Sequence, residues 1–446
     1  MGNIFGTDGV RGVANGELLT PELILSLGRA HGHSLHSASA RPRIVLGRDT
    51  RMSGEMLEAG YIAGVTSAGG TVIPAGVIPT PGVAYLTRLL GADGGAVISA
   101  SHNPIGDNGI KFFDRRGFKL DDGESDGIEE LFLRAADLPR PTGNEVGRLE
   151  HIQGLPSRYA GYLVEQAPRR LEGLKLVLDC AHGAACGVAG EVFERLGATV
   201  QCLHDTPDGS RINVECGSTH LGSLGEEVRR SNAHLGLAFD GDADRCLAVD
   251  EQGRTVDGDQ MMLILAGWLQ QLGLLRNHLV VATVMSNLGL ELALRERRIQ
   301  FIRTQVGDRY VLEVLREKEG VLGGEQSGHL LFLDRSTTGD GILSGIMLAC
   351  ALLESGRPLS ELADQMERFP QKLVNVPAQH KDRLEQDSEI AAAVERLEQR
   401  MARRGRLLVR PSGTEPLVRV MAEGSDALLI EEVLSELSQL IARRLA

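Results

Sequence analysis

Four short polar stretches of this chain hold residue types that can do chemistry. Ser99-Ala100-Ser101-His102-Asn103-Pro104 places serine hydroxyls beside a histidine where an apolar strand ends, and Asn-Pro forces a turn, so a serine is exposed as a nucleophile. A lone Ser-His pair is more often a plain polar turn, and no GxSxG surrounds it as in a hydrolase elbow. Asp240-Gly241-Asp242-Ala243-Asp244-Arg245 alternates carboxylates that can turn toward one hard cation, and oxygen-only ligation suits Mg2+. The EF-hand reading fails, because Arg245 stands where the sharp turn needs Gly and strands flank the loop. An aspartyl-phosphate hydrolase fits the strand leading to Asp240-x-Asp242, but Asp244 replaces the Thr or Val expected there.

Glu325-Gln326-Ser327-Gly328-His329 offers a carboxylate, a hydroxyl and an imidazole at alternate positions. On an extended segment these share one face, fit to grip vicinal sugar hydroxyls, with His329 available for proton transfer near neutral pH. Arg410-Pro411-Ser412-Gly413-Thr414-Glu415-Pro416 is a phosphate cradle: Gly413 lets backbone N–H groups point inward, Ser412 and Thr414 add hydroxyls, and Arg410 with Arg419 offers bidentate forks. Taken singly, the first stretch reads more readily as holding a structural histidine, and the second reads equally as a hairpin turn.

The elements that must position these stretches repeat. Residues 43–46, 175–178 and 278–281 are apolar strands; each is followed by a polar turn, a helix-period segment and a β-rich run, TVIPAG, TVQCLH or QFIRTQ. A further strand then leads into the serine, aspartate or EQSGH stretch, and open α/β sheets bind ligands where the chain leaves a strand. The fold class expected is α/β: three similar mixed-sheet α/β domains plus a smaller C-terminal α+β domain around a central cleft. Boundaries are expected at 1–145, 146–252, 253–368 and 369–446. The last domain carries a charged helix over 381–404.

At 446 residues the chain exceeds one hydrophobic core, and 42% hydrophobic with 24% charged residues is ordinary for a globular protein. A net charge of −13 excludes nucleic acid or an anionic membrane as the main partner, so an anionic substrate must be captured by local basic groups. Six cysteines, at 180, 186, 202, 216, 246 and 350, form no CxxC pair and imply reduced thiols. With no signal-like start and no apolar run longer than 261–269, a cytoplasmic enzyme is expected.

Together, FGTDGVRG (5–12), GRDTRMSG (47–54), SASHNP with DNGIKFF to Phe113, DGDADR, VGDRYV (306–311), EQSGH and RPSGTEP resemble the α-D-phosphohexomutase superfamily, the opening and VGDRYV pointing to its glucosamine branch. The resemblance implies a phosphoserine at Ser101 rather than Ser99. It implies one Mg2+ per active site, held by Asp240, Asp242, Asp244 and that phosphate on Ser101. Arg410, Ser412, Gly413 and Thr414 would hold the non-reacting phosphate, Glu325 and Ser327 the sugar hydroxyls, and Arg11, Lys111 and Arg245 the phosphoryl in flight. The implied reaction converts glucosamine 6-phosphate to glucosamine 1-phosphate through a 1,6-bisphosphate, feeding UDP-N-acetylglucosamine synthesis, with glucosamine or glucose 1,6-bisphosphate as activator. Glucose and mannose phosphates are the alternative substrates, the partner is a small-molecule amino-sugar phosphate, and a homodimer is allowed. Ser99→Ala is expected to be mild.

Overall fold

The computed structural model describes residues 4–6, 9–37, 39–402, 405–412 and 416–446. Three sheets in it share one plan. In the first, Thr71–Val77, Arg43–Arg48 and Gly94–Ile98 lie side by side in parallel, and Asp107–Asp114 returns antiparallel to Gly94–Ile98. The second repeats the order with Thr199–Leu203, Lys175–Asp179, Leu235–Phe239 and antiparallel Cys246–Asp250. The third does so with Gln300–Thr304, Leu279–Thr283, Leu322–Gly324 and antiparallel Leu330–Phe332. The serine, aspartate and EQSGH stretches are therefore one topological feature used three times, the connection from the third strand to the reversed fourth.

Pleating explains why the central strands read as continuous apolar runs. Arg43–Arg48 sends Ile44 and Leu46 into one layer and Val45 into the other, so both faces are covered, as parallel sheets require. One layer of the first sheet is closed by helices Pro21–Ser34 and Gly54–Ser67; Thr80–Leu89 lies on the other. That second layer is continuous with the cores of the second and third sheets, sharing Tyr159, Phe193, Leu237, Met262 and Ile346. The short strand Arg148–Leu149 pairs with Thr71–Val72 and extends the first sheet past residue 145.

The C-terminal unit is separate in its core. Strands Gln371–Pro377, Leu417–Gly424 and Gly405–Pro411 form an antiparallel sheet backed by helices Ser388–Met401 and Ala427–Arg444, whose apolar faces make their own cluster. The charged helix starts later than expected. Asp387 accepts from the Glu389 and Ile390 backbone N–H groups and caps it at Ser388, while 381–383 form a lone 3-10 turn. Arg404, the expected end, lies outside the described residues.

Candidate active site

Ser101 sits at the end of Gly94–Ile98 with φ of +53°, a left-handed conformation that costs a non-glycine residue energy and aims its side chain at the second domain. Its Oγ donates to Asp240 Oδ2 at 2.5 Å, and His102 Nδ1 lies 3.3 Å away. Burial, then the charges of Arg245 and Arg11, push the His102 imidazole down to about 4, so it is neutral at neutral pH. The approach of the two loops needs Gly241, because a Cβ there would stand 2.7 Å from the Ser101 carbonyl oxygen.

Asp240, Asp242 and Asp244 are wholly buried and each brings a carboxylate oxygen within 4.8 Å of the others. Lys111, reaching from Asp107–Asp114, places Nζ 2.9 Å from Asp242 Oδ2 and 3.0 Å from Asp244 Oδ2. Burial and then repulsion from Asp244 and Asp242 hold the Asp240 carboxyl well above the usual carboxylate range. Burial pushes Asp244 the same way, but Lys111 and His329 overrule it and hold that carboxyl well below the range. Asp242 Oδ1 and Asp244 Oδ1 are buried and accept no hydrogen bond. Crowded carboxylates with unfilled oxygens fit a hard divalent cation, which would relieve both their repulsion and their desolvation.

The EQSGH stretch departs from its expected form. It is a turn rather than an extended segment: Gly328 has φ of +89° and its N–H closes on the Glu325 carbonyl. Ser327 and Glu325 do meet, Oγ to Oε2 at 3.2 Å, whereas His329 is turned away between Asp244 at 3.5 Å and Asp308 at 3.2 Å. Burial opposes its charge, but these carboxylates raise the imidazole to about 10. His329 is thus a held cation, which corrects the expectation of proton transfer near neutral pH.

A cavity of about 450 Å3 joins the aspartate and EQSGH loops to the FGTDGVRG and VGDRYV stretches, lined by Arg11, Asp244, Arg245, Gly307, Asp308, Glu325 and His329 among others; the serine loop lies outside its lining. No described residue of the C-terminal domain lines it. Arg410 and Arg419 instead face each other across neighbouring strands, and burial and then the Arg419 charge lower Arg410. Like charges at opposed positions destabilise a sheet unless an anion sits between them, so the pair suits a phosphate. Ser412 is buried beside them; Gly413 and Thr414 lie outside the described residues. The domain touches the third through Arg406, whose guanidinium donates to the Val284 and Ser286 carbonyls, and through Gln371, which donates to the Met285 carbonyl.

Family profiles for phosphoglucomutase/phosphomannomutase alpha/beta/alpha domains I, II and III and the C-terminal domain match residues 2–138, 157–253, 257–369 and 373–440. Phosphoglucosamine mutase from Moorella thermoacetica is 53% identical over 98% of this chain and 99% of its own length. The chain belongs to the phosphoglucosamine mutase family. A phosphoglucomutase/phosphomannomutase family protein from Burkholderia thailandensis shares the fold at a TM-score of 0.84 and 25% identity, over 99% of this chain and 98% of that one. Aspergillus fumigatus N-acetylphosphoglucosamine mutase, solved with GlcNAc-6P and magnesium, superposes at a TM-score of 0.63 and 16% identity, over 98% and 95% of the two chains.

Beneath this site of the phosphoglucosamine mutase family lies a support that residue types did not signal. Arg51 is fully buried; it is paired with Asp49 at 3.0 Å and donates to the carbonyls of Ser101, Asn103, Pro104 and Asp107, pinning the serine loop from below. Ser99 donates to Asp49 Oδ2 at 2.6 Å and accepts from the Ser101 N–H at 2.9 Å, two buried bonds that argue against the expectation of a mild replacement. Asn213 donates to the Ser101 carbonyl, and Thr80 Oγ1 to Asp242 Oδ2. Lys119 donates to Asp308 at 2.7 Å and links the first domain to His329. Only the GRDTRMSG and VGDRYV motifs flagged the neighbourhoods of Arg51 and Asp308.

Proposed function

We propose that the chain interconverts D-glucosamine 6-phosphate and D-glucosamine 1-phosphate, with phosphorylated Ser101 as donor and a 1,6-bisphosphate as intermediate. The observation that carries the reading is the meeting of Ser101 Oγ with Asp240 at 2.5 Å, beside a neutral His102 and over a triad built for a cation. The phosphoryl leaves Ser101 Oγ as its bond to the sugar 1-hydroxyl forms, and the other phosphate later returns to the serine. The proton released by the sugar hydroxyl passes through the neutral His102, whose Nδ1 lies 3.3 Å from Ser101 Oγ, to that oxygen as the phosphoryl leaves it, and returns the same way when the serine is rephosphorylated. Lys111, Arg11, Arg245 and the His329 cation neutralise charge on the transferring group, which phosphoryl transfer needs more than covalent assistance. Asp240, Asp242 and Asp244 would hold Mg2+, which when bound supplies further neutralisation of the phosphoryl oxygens.

Glu325 and Ser327 would orient sugar hydroxyls at the cavity. Arg410, Ser412, Gly413, Thr414 and Arg419 would take the non-reacting phosphate once the C-terminal domain swings toward the cleft, its separate core and few ties to the third domain supporting that motion. The bisphosphate, added in trace, serves as activator. Among the described residues no helix is long and apolar enough to cross a membrane. The test compares kcat/KM on glucosamine, glucose and mannose 6-phosphates and maps the phosphopeptide. A preference for glucose or mannose would overturn the substrate assignment. A phosphopeptide cleaved by hydroxylamine would overturn the phosphoserine in favour of an acyl phosphate on the aspartate loop.

A further inference from the structure

A second convergence of metal-ligand side chains lies in the second domain, away from the carboxylate triad. Asp179 closes the strand Lys175–Asp179, and its register partner in the adjacent parallel strand is Leu203, which puts His204 one residue beyond it. Cys216 arrives from the loop that follows and is buried. One ligand atom of each residue lies within 4.8 Å of the other two.

The donors are already oriented. Asp179 is wholly buried and its carboxylate is locked by the Ala181 N–H on Oδ1 at 2.9 Å and the Gly217 N–H on Oδ2 at 3.0 Å. His204 Nδ1 lies 3.0 Å from Asp179 Oδ1, and its contact with that carboxylate raises the imidazole. Two ligands on one zinc ion, each at roughly 2.0–2.1 Å, sit roughly 3.3 Å apart, close to that spacing. The Cys216 thiol makes a long contact, 3.9 Å, to the Arg211 carbonyl and a further one to the Asn213 backbone. The imidazole keeps 24% of its side-chain surface exposed, which leaves an entry path and room for a water as fourth ligand.

We infer that Asp179, His204 and Cys216 bind a thiophilic divalent cation of the Zn2+ type, at a site distinct from the oxygen-only triad. One sulfur, one nitrogen and one oxygen donor select a borderline-soft ion and reject Mg2+. Binding exchanges the Cys216 S–H proton and the His204 Nδ1 proton that faces Asp179 for the metal; the first leaves to solvent, the second to solvent or to Nε2, and nothing is oxidised or reduced. The site also has a line to Ser101. Asn213, three residues before Cys216, donates to the Ser101 carbonyl at 2.8 Å, so a filled site ties the loop behind the serine to the sheet of the second domain.

Co2+ is the probe, titrated anaerobically into the full chain with Mg2+ in excess. The expected result is one equivalent of Co2+ that develops a sulfur-to-cobalt charge-transfer band in the near ultraviolet and is displaced by Zn2+. Cys216→Ala should lose the band, His204→Asn should weaken Co2+ binding at least tenfold, and Asp242→Asn should keep both. An absent band would reduce the cluster to an ordinary Asp-His contact beside a buried thiol and overturn the inference. A band that survives Cys216→Ala would do the same by placing the metal on other cysteines. If Cys216→Ala does not fold, His204→Asn decides: unchanged affinity overturns the site.

Discussion

Replacing Ser99 with Ala removes one hydroxyl that serves two buried partners. Its donated bond runs to a buried carboxylate, Asp49 Oδ2, at 2.6 Å, and bonds of that kind contribute about 1.5–3 kcal/mol. Its accepted bond satisfies the Ser101 N–H at 2.9 Å, and an orphaned buried donor costs about 1–3 kcal/mol. Both terms pass through one oxygen in a network, so they do not simply add, and a net loss of about 3 kcal/mol is expected. For a domain of this size that is a fall of roughly 6–12 °C in the melting temperature of the first domain. Activity should fall as well, although Ser99 meets no substrate. The lost bond helps hold Ser101 at its left-handed φ of +53°, and about 1.4 kcal/mol of misplacement is a tenfold drop in kcat. KM should stay within twofold, since Ser99 does not line the cavity. Calorimetry and steady-state assays on one preparation check both halves. A melting point within 1–2 °C of the parent chain (about 0.5 kcal/mol) together with an unchanged kcat would refute the reasoning.

Three further perturbations follow from named contacts. Mg2+ at a hundredfold excess over its Kd should stabilise the chain by about 2.7 kcal/mol, and Asp240→Asn should lose most of that rise because it removes both a ligand and the like-charge crowding; scanning fluorimetry against Mg2+ concentration reads it. His31 is buried against Tyr61 and Phe112, and burial lowers its imidazole to about 3. The folded state therefore binds fewer protons than the unfolded state below about pH 6.5, and stability falls with pH by about 2 kcal/mol between 6.5 and 5, a slope that His31→Gln should lack in denaturation curves. Arg410→Ala leaves Arg419 without its opposed guanidinium and removes a phosphate fork. It should raise KM by about 10–100-fold, matching the loss of a charge-assisted bond of about 1.5–3 kcal/mol, while the melting temperature holds or rises.

The threefold α/β plan and the three loops that cap it were legible from residue order alone, because strands buried on both faces must be continuously apolar and polar runs can interrupt them only at their ends. The same logic exposed the carboxylate triad, whose three members crowd one short loop. Contacts made at long range stayed hidden. That Arg51 spends its guanidinium on four carbonyls around Ser101, or that Ser99 is a strut rather than a bystander, depends on which backbone atoms two loops bring together. His329 shows the difference most sharply. Alternation suggested an extended segment with a titratable imidazole, but Gly328 turns the chain, and Asp244 and Asp308 from two other stretches fix the charge. Local periodicity sets which residues face a core; the protonation and partners of a buried polar group are set by whatever the fold packs against it, and those neighbours lie far away in the chain.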